Sequence, residues 1–371
     1  EYPDGKGYGS GGGARVFKIV HEHVKARPID VRFEAAVQQL ITNDRREVAG
    51  VRVVTPNGER RIKARKGVIL ACGGFEANEE MKRQYWQMAP VLPVMARTNT
   101  GDGIRMAQEL GADLWHMWHY HGSYGFRHPD PNYPYAVRMK RLPDWFPDDN
   151  PSARVPMAWI LVDRGGRRFM NENHPYTQDT NHRPLELFDP ATQSFPRVPS
   201  YMICDEDGRK MYRLGMVTYN EDGLGFQWSE DNLAEVEMGI LRRAGSVAEL
   251  AEMLDLDGAV LLETVDRWNV HCQQNQDDDF GRPPGSLTPI QTPPFYVGEV
   301  WPVVSNTQGG PVHDADQQIL DVNARPIARL YAAGELGSAF GYLYVSGGNL
   351  TECFITGRIA GRRAAAQAAL D

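Results

Sequence analysis

Leu330-Tyr-Ala-Ala-Gly-Glu335, followed by Gly341-Tyr-Leu-Tyr-Val-Ser-Gly-Gly-Asn349 and a patterned stretch from Leu350, decides how the rest of the chain is read. An apolar run that ends in small residues reads as a buried strand. The loop after it is rich in Gly and Tyr, and a helix opens near Leu350. The first amides of a helix lack intrahelical partners and sit at the positive end of its dipole, so a start built of small residues is a ready anion site. The same letters fit an ordinary strand-to-helix turn, and short glycine motifs also match by chance. The choice between the two rests on the other segments.

A second segment of the same kind is Lys66-Gly-Val-Ile-Leu-Ala-Cys-Gly-Gly-Phe75. Its apolar run predicts a buried parallel strand, and Gly73-Gly74 at its end lets a ligand approach the backbone. Thr100-Gly-Asp-Gly103 then opens a helix to about Gly111, with Thr100 or Asp102 as the expected cap. Further upstream, Val16, Ile19, Val20 and Val24 have helical spacing from about Ala14 to Lys25. Residues 30–64 read as a small β-meander: a strand at Asp30–Phe33, a segment Val37–Ile41, and a hairpin whose Asn57-Gly58 favours a type I′ turn. Gly7-Tyr-Gly-Ser-Gly-Gly12 matches GxGxxG in letters, but no apolar strand precedes it, so it reads as a loop.

Residues 113–156 are dense in Trp, His, Tyr and Pro with weak periodicity, as a pocket lining would be. His116, His119 and His121 lie there, but their spacing and the lack of adjoining carboxylates argue against a metal site, and none is expected. Met157–Val162 and Ser200–Cys204 read as strands, Asn232–Arg243 and Asp257–Cys272 as helices, and Asp277-Asp-Asp279 as a solvated acidic patch. Strand patterns return at Tyr296–Val304, Gly309–Val312 and Gln318–Leu320, and a last helix runs from about Leu350 to Ala369. The outer pieces, 1–105 and 300–371, have α/β character, and 106–299 differs in composition. That is the layout of a cofactor-binding domain interrupted by a substrate cap.

The bulk properties agree with an ordinary globular protein: 371 residues, 42% of them hydrophobic and 24% charged. A net charge of −8 favours neither nucleic acid nor an anionic membrane surface as partner. No apolar run approaches the roughly 18 to 20 residues of a membrane span. Cys72, Cys204, Cys272 and Cys353 are not in metal-ligand spacing and read as free thiols of a reducing compartment, the cytoplasm.

Six segments taken in order, Lys66 to Asn78, Thr100 to Gly103, Gly166-Arg-Arg-Phe-Met-Asn-Glu172, Thr307-Gln-Gly-Gly310, Leu330 to Glu335 and Ser346-Gly-Gly-Asn349, resemble the fumarate reductase and 3-ketosteroid dehydrogenase superfamily of FAD flavoproteins. The resemblance covers essentially the whole chain. It implies an α/β fold, a Rossmann-like FAD-binding domain with an α+β cap over the flavin. It implies that Cys72, Gly73, Gly74, Thr100, Gly101, Asp102 and Gly103 line the cofactor and that Gly334 and Glu335 reach its ribitol. Ser346, Gly347, Asn349 and Leu350 would sit at the flavin edge, with Gly348 between them, where reduction places negative charge.

Within the superfamily the resemblance is closer to the ketosteroid branch. Val345 stands where fumarate reductases usually carry a carboxylate-gripping arginine, and Ser305 and Asn306 stand before Thr307 where they tend to carry histidine. A dicarboxylate substrate would therefore lack its charged partners. Arg168-Phe-Met-Asn-Glu172 followed by Tyr176 resembles the branch's base segment, and Tyr344 with Gly348 its carbonyl-binding pair. The implied catalytic set is Tyr176, Tyr344 and Gly348, acting on a small apolar ketone with an electron acceptor that the sequence leaves unknown. A free tyrosine has a pKa of about 10, so a base role needs a depressed value. Arg127, Arg138 or Arg183 could supply the charge for it in space.

The family's opening strand, GxGxxG and helix have no counterpart in this chain, so its FAD domain is expected to lack the first βαβ strand. Three explanations stand. A separate N-terminal chain completes the site, the chain is a processed or truncated piece, or it is a relative that no longer binds FAD.

Overall fold

The computed structural model describes residues 12–95, 97–143, 155–173, 182–218, 224–341 and 347–371. Tyr176, Tyr344, Val345, Ser346 and most of the Gly7–Gly12 loop lie outside them. The helices are α1 (Gly12–Lys25), α2 (Glu79–Tyr85), α3 (Asp102–Glu109), α4 (Glu206–Met211), α5 (Leu233–Glu237), α6 (Val247–Leu254), α7 (Gly258–Gln274) and α8 (Gly348–Ala366).

A meander of β1 (Ala36–Thr42), β2 (Val48–Thr55) and β3 (Gly58–Lys63) forms the first sheet. The hairpin is where the sequence places it, but its turn differs from the expected one. Thr55 pairs with Gly58, so Pro56 and Asn57 are the central residues. The proline ring fixes a negative φ, which excludes type I′, and the positive φ falls on Gly58 instead, at 97°. Asp30–Phe33 is not a strand: it finds no partner, and Ile29, Val31 and Phe33 are exposed.

The second sheet joins the two ends of the chain. β4 (Val68–Leu70) runs parallel to β16 (Pro326–Ala332), with Leu330 opposite Val68 and Ala332 opposite Leu70. β15 (Gln318–Leu320) flanks β16 on its other edge. α8 packs over both parallel strands, burying Tyr331 against Ala360 and Ala364.

The third sheet has eight strands: β5 (Leu92–Pro93), β7 (Tyr120–Arg127), β8 (Ala136–Met139), β9 (Ile160–Val162), β10 (Ser200–Asp205), β11 (Gly215–Met216), β12 (Leu241–Ala244) and β13 (Phe295–Thr307). The 13-residue β13 is its spine. It pairs antiparallel with β7, β10 and β12 and parallel with β5. A short ladder, β6 (Leu114–Trp115) with β14 (Gly310–Pro311), carries the chain from β13 back toward the second sheet. The expected helix over Asn232–Arg243 is a single short helix, α5. It stops before Gly239, whose φ is +84°, and Leu241–Ala244 then extends as β12 against β13.

A buried ion network ties the third sheet to α7. Arg168 donates to both oxygens of Glu172 at 3.1 and 2.8 Å and to both oxygens of Asp277 at 3.1 Å. Its guanidinium lies 4.5 Å from the Trp268 ring centre. Arg282 comes within 3.5 Å of Glu172 and donates to the carbonyls of Trp159, Met157 and Ser286. Burial works to lower the Arg168 pKa, but the two carboxylates outweigh it and the net shift is upward. Asp277 is therefore no solvated acid as its neighbours in sequence imply: it is 5% exposed and spent on Arg168. His271, Asp277 and Asp279 are the one group of three metal-type side chains among the described residues. Arg168 and Arg267 already occupy both its carboxylates, so the group reads as an ion-pair network.

Candidate cofactor site

Four chain segments meet at the seam between the second and third sheets. They are the turn after β4, the end of β13, the turn after β16 and the first turn of α8. A threonine links three of them. The Phe75 amide donates to Thr307 Oγ1 at 3.1 Å, and the Thr307 amide donates to Glu335 Oε1 at 2.9 Å. The Thr307 hydroxyl also reaches Glu335 Oε1, at 3.3 Å. Gly74 lies against this link, where a Cβ would fall 1.7 Å from Thr307 Oγ1. The structure thus brings Gly74 and Glu335 together through Thr307, a residue whose role the sequence did not reveal, and sets Gly73 against Asn99.

The helix α3 docks beside the same turn. The Gly101 amide donates to the Gly74 carbonyl at 2.9 Å, and Gly103 packs on Cys72 and Leu336. Neither expected cap is used. Gly101 itself is the N-cap, in the left-handed region with a φ of 81°, and the Thr100 hydroxyl donates to Asp102 Oδ1 at 3.0 Å. Asp102 is exposed and accepts that hydrogen bond from Thr100. The Gly334 amide donates to Thr356 Oγ1 of α8 at 2.8 Å, which fastens the helix to the end of β16.

The first turn of α8 contains no acidic residue, and Gly347 begins it with a φ of 76°. Gly348 is buried beside Phe340, Leu350 points to solvent at 56% exposure, and Asn349 turns inward. Asn349 Nδ2 donates to Asn306 Oδ1 at 3.0 Å and lies 3.4 Å from His121 Nδ1. Gln308 Nε2 lies 3.1 Å from the same ring nitrogen. With two amide donors at Nδ1, the His121 proton resides on Nε2. Burial first, and then the positive charge of Arg183, depresses His121 to about 4. Burial and the neighbouring His121 and Arg183 take His119 to about 3. His182, buried and stacked on Tyr120, also lies at about 3. The histidines beside this seam are neutral imidazoles at physiological pH, and they pair with amides, a guanidinium and a backbone carbonyl.

Asn306, Gln308, His121, Thr307 and Glu76 join the site without having been singled out for it. Thr307, Gln308 and Glu76 stood inside quoted motifs, and only that placement could have flagged them. His121 carried no local signal toward a cofactor.

The buried polar atoms left over here test whether a ligand fits. Glu76 Oε2, Ser305 Oγ, Gln308 Oε1 and Asn349 Oδ1 are buried with no hydrogen-bond partner among the described residues. Each such group costs about 1–3 kcal/mol unless something pairs with it. Gln308 Oε1 and Asn349 Oδ1 call for donors such as ring N–H or hydroxyl groups, and the α8 amides for an electron-rich edge; a polar, multi-ring ligand such as FAD carries both. Residues 73–74, 101–103, 334–335 and 347–349 are the ones that would hold it.

Comparison with known proteins supports this. The chain is 31% identical over 330 residues to the 3-oxosteroid 1-dehydrogenase of Mycolicibacterium smegmatis, covering 84% of this chain and 54% of that protein. It is 29% identical over 339 residues to the urocanate reductase of Eggerthella lenta, covering 89% of this chain and 50% of that protein. Its fold matches the crystal structure of the 3-ketosteroid delta1-dehydrogenase from Sterolibacterium denitrificans in complex with 1,4-androstadiene-3,17-dione. That match has a TM-score of 0.75 at 25% identity, over 94% of this chain and 62% of that one. The chain spans about half the length of the curated relatives it matches. The family model for the FAD binding domain matches residues 3–350, and the chain belongs to that family.

Proposed function

We propose that the protein is an FAD-dependent oxidoreductase that introduces or reduces a C=C bond beside a ketone in an apolar cyclic substrate. The observation that carries this reading is the seam itself. A helix start without acidic residues meets the Thr307–Glu335 link and several unpaired buried polar atoms. The names of the relatives, steroid dehydrogenases and enoate reductases, bracket the same chemistry. Val345, standing where a carboxylate-binding arginine is expected, favours the ketone over the dicarboxylate.

FAD, when bound, accepts or supplies the hydride equivalent. The chain's own residues handle the ketone and the proton. The Tyr344 hydroxyl and the Gly348 amide donate hydrogen bonds to the ketone oxygen and acidify the adjacent C–H, and Tyr176 takes up that proton. The pieces 1–105 and 300–371 hold the cofactor, and 106–299 form the cap over the substrate. Replacing Tyr344 with phenylalanine is expected to lower turnover at least about tenfold, the effect of removing one oxyanion-type donor. Steady-state kinetics with a 3-oxosteroid and an artificial electron acceptor check this, and wild-type turnover in the variant removes Tyr344 from the site.

The surface around β4 supports a further partner segment. Among the described residues β4 pairs only with β16, although parallel strands are ordinarily covered on both sides. On α8, which packs on β4, Leu350, Phe354 and Ile355 are all more than half exposed. A strand with a flanking helix, from a separate chain or from the same polypeptide, would pair there and complete the cofactor site. Intact mass of the purified protein reads out whether a second chain accompanies it. All four cysteines are unpaired, which supports a cytoplasmic setting. No described helix is long and apolar enough to cross a membrane.

A further inference from the structure

Glu76, in the turn after β4, and Glu335, in the turn after β16, face one another within hydrogen-bonding reach. Glu76 is 1% exposed. Its Oε1 accepts from Asn99 Nδ2 at 2.5 Å, but no donor among the described residues reaches Oε2. Glu335 Oε1 is taken by the Thr307 amide and hydroxyl. The nearby cation is Lys82 of α2, and its ammonium is held by Glu79 at 2.5 Å and by the Val91 carbonyl at 2.8 Å. On the α8 side, Cys353 is the titratable neighbour of Glu335. The Lys82 charge acts on Glu76, but more weakly than burial does, so it offsets the two negative charges only in part.

Glu76 is buried and Glu335 half-buried, and two carboxylates in contact in such a setting do not both ionise near neutrality, because like charges repel at that spacing and burial penalises the charged form. One proton held between them gives Oε2 its missing hydrogen bond and removes one charge. We propose that Glu76 and Glu335 share a single proton at neutral pH, and that Glu76 is a positioning residue holding Glu335 toward the polyol chain of the cofactor. The second half rests on the reading of Glu335 as cofactor-facing. Burial raises both carboxyls, and for Glu335 the Glu76 charge adds to it.

The sign follows from this shift. Both groups titrate above the ordinary carboxylate range, so the stability they contribute is complete below that range. It declines as pH rises through the raised value, where a second charge appears across the contact. Glu76→Gln keeps the geometry without the titration: its carbonyl accepts from Asn99 and its amide donates to Glu335. Glu76→Ala removes both.

Infrared spectra of the full chain at neutral pH test the shared proton. A carboxylic-acid C=O band is expected in the wild type and is expected to be lost in Glu76→Gln, with circular dichroism confirming the fold. A band unchanged in Glu76→Gln, or absent from the wild type, overturns the proposal. Titration with FAD, followed by flavin fluorescence, tests the positioning role. Wild-type affinity is expected to fall at least about tenfold, the equivalent of one pKa unit, as pH rises through the pair's titration. Glu76→Gln is expected to bind at a level independent of pH, and Glu76→Ala weakly throughout. If the infrared result holds but Glu335→Gln leaves FAD affinity unchanged, the positioning half falls and the shared proton stands.

Discussion

Replacing Arg168 with alanine is expected to cost about 3–5 kcal/mol of stability, the effect of leaving buried carboxylates without their cation. Arg168 is one of two guanidiniums in contact with Glu172 and the one that binds Asp277 through both oxygens. The side chains of Glu172 and Asp277 are fully buried, so water cannot replace the lost partner. Arg282 remains near Glu172, its Nη1 at 3.5 Å, but the same Nη1 donates to the Trp159 carbonyl and Nη2 donates to those of Met157 and Ser286. Arg168→Lys is not expected to rescue the loss, because an ammonium cannot bind two carboxylates in a bidentate manner and stack on Trp268. Chemical denaturation reads the difference. The control is Arg325→Ala, which removes an exposed partner of Asp321 and is expected to change stability little. Equal effects at both positions would show that the buried network does not hold the third sheet to α7.

Gly74→Ala is expected to cost about 1–3 kcal/mol through overpacking and to weaken FAD binding at least tenfold, about the loss of one hydrogen bond to a charged group. The new Cβ would lie 1.7 Å from Thr307 Oγ1 and 2.6 Å from Glu335 Oε1. Neither atom can yield alone: Thr307 is fully buried on β13 and is bonded both to the Phe75 amide and to Glu335. Relief therefore breaks the link that joins the β4, β13 and β16 segments. Gly357→Ala, on α8 with nothing near its Cβ position, serves as the control and is expected to bind FAD normally. FAD titration of both variants distinguishes a site-specific effect from a general sensitivity to glycine replacement.

Local signals in the sequence were enough for the parts of the fold that depend on neighbours. The apolar runs at Val68 and Leu330 are the parallel β4–β16 pair, and Asp257 caps α7 through its side chain. What failed was set by distant partners. β7 is buried along all but its last residue and contains His121, Gly122, Ser123 and Gly125, so it shows no alternation to read. Asp277 looks solvated beside two other aspartates, and only Arg168, 109 residues away, makes it a buried ion pair. Asp30–Phe33 has strand-like residues without a strand to pair with. Of the candidate site, the glycines were legible because close backbone approach demands them, and Glu335 only as the last member of the Leu330–Glu335 motif. The pairing of Glu76 with Glu335 was not, because nothing in either turn announces that the two turns meet.

The most direct test of the functional reading is a dye-linked assay of the purified protein with FAD supplied, offering a 3-oxosteroid for oxidation and fumarate for reduction in parallel. The account predicts turnover of the 3-oxosteroid, with flavin absorption bands in the protein that carries it out. Reduction of fumarate with no turnover of any cyclic ketone would contradict it.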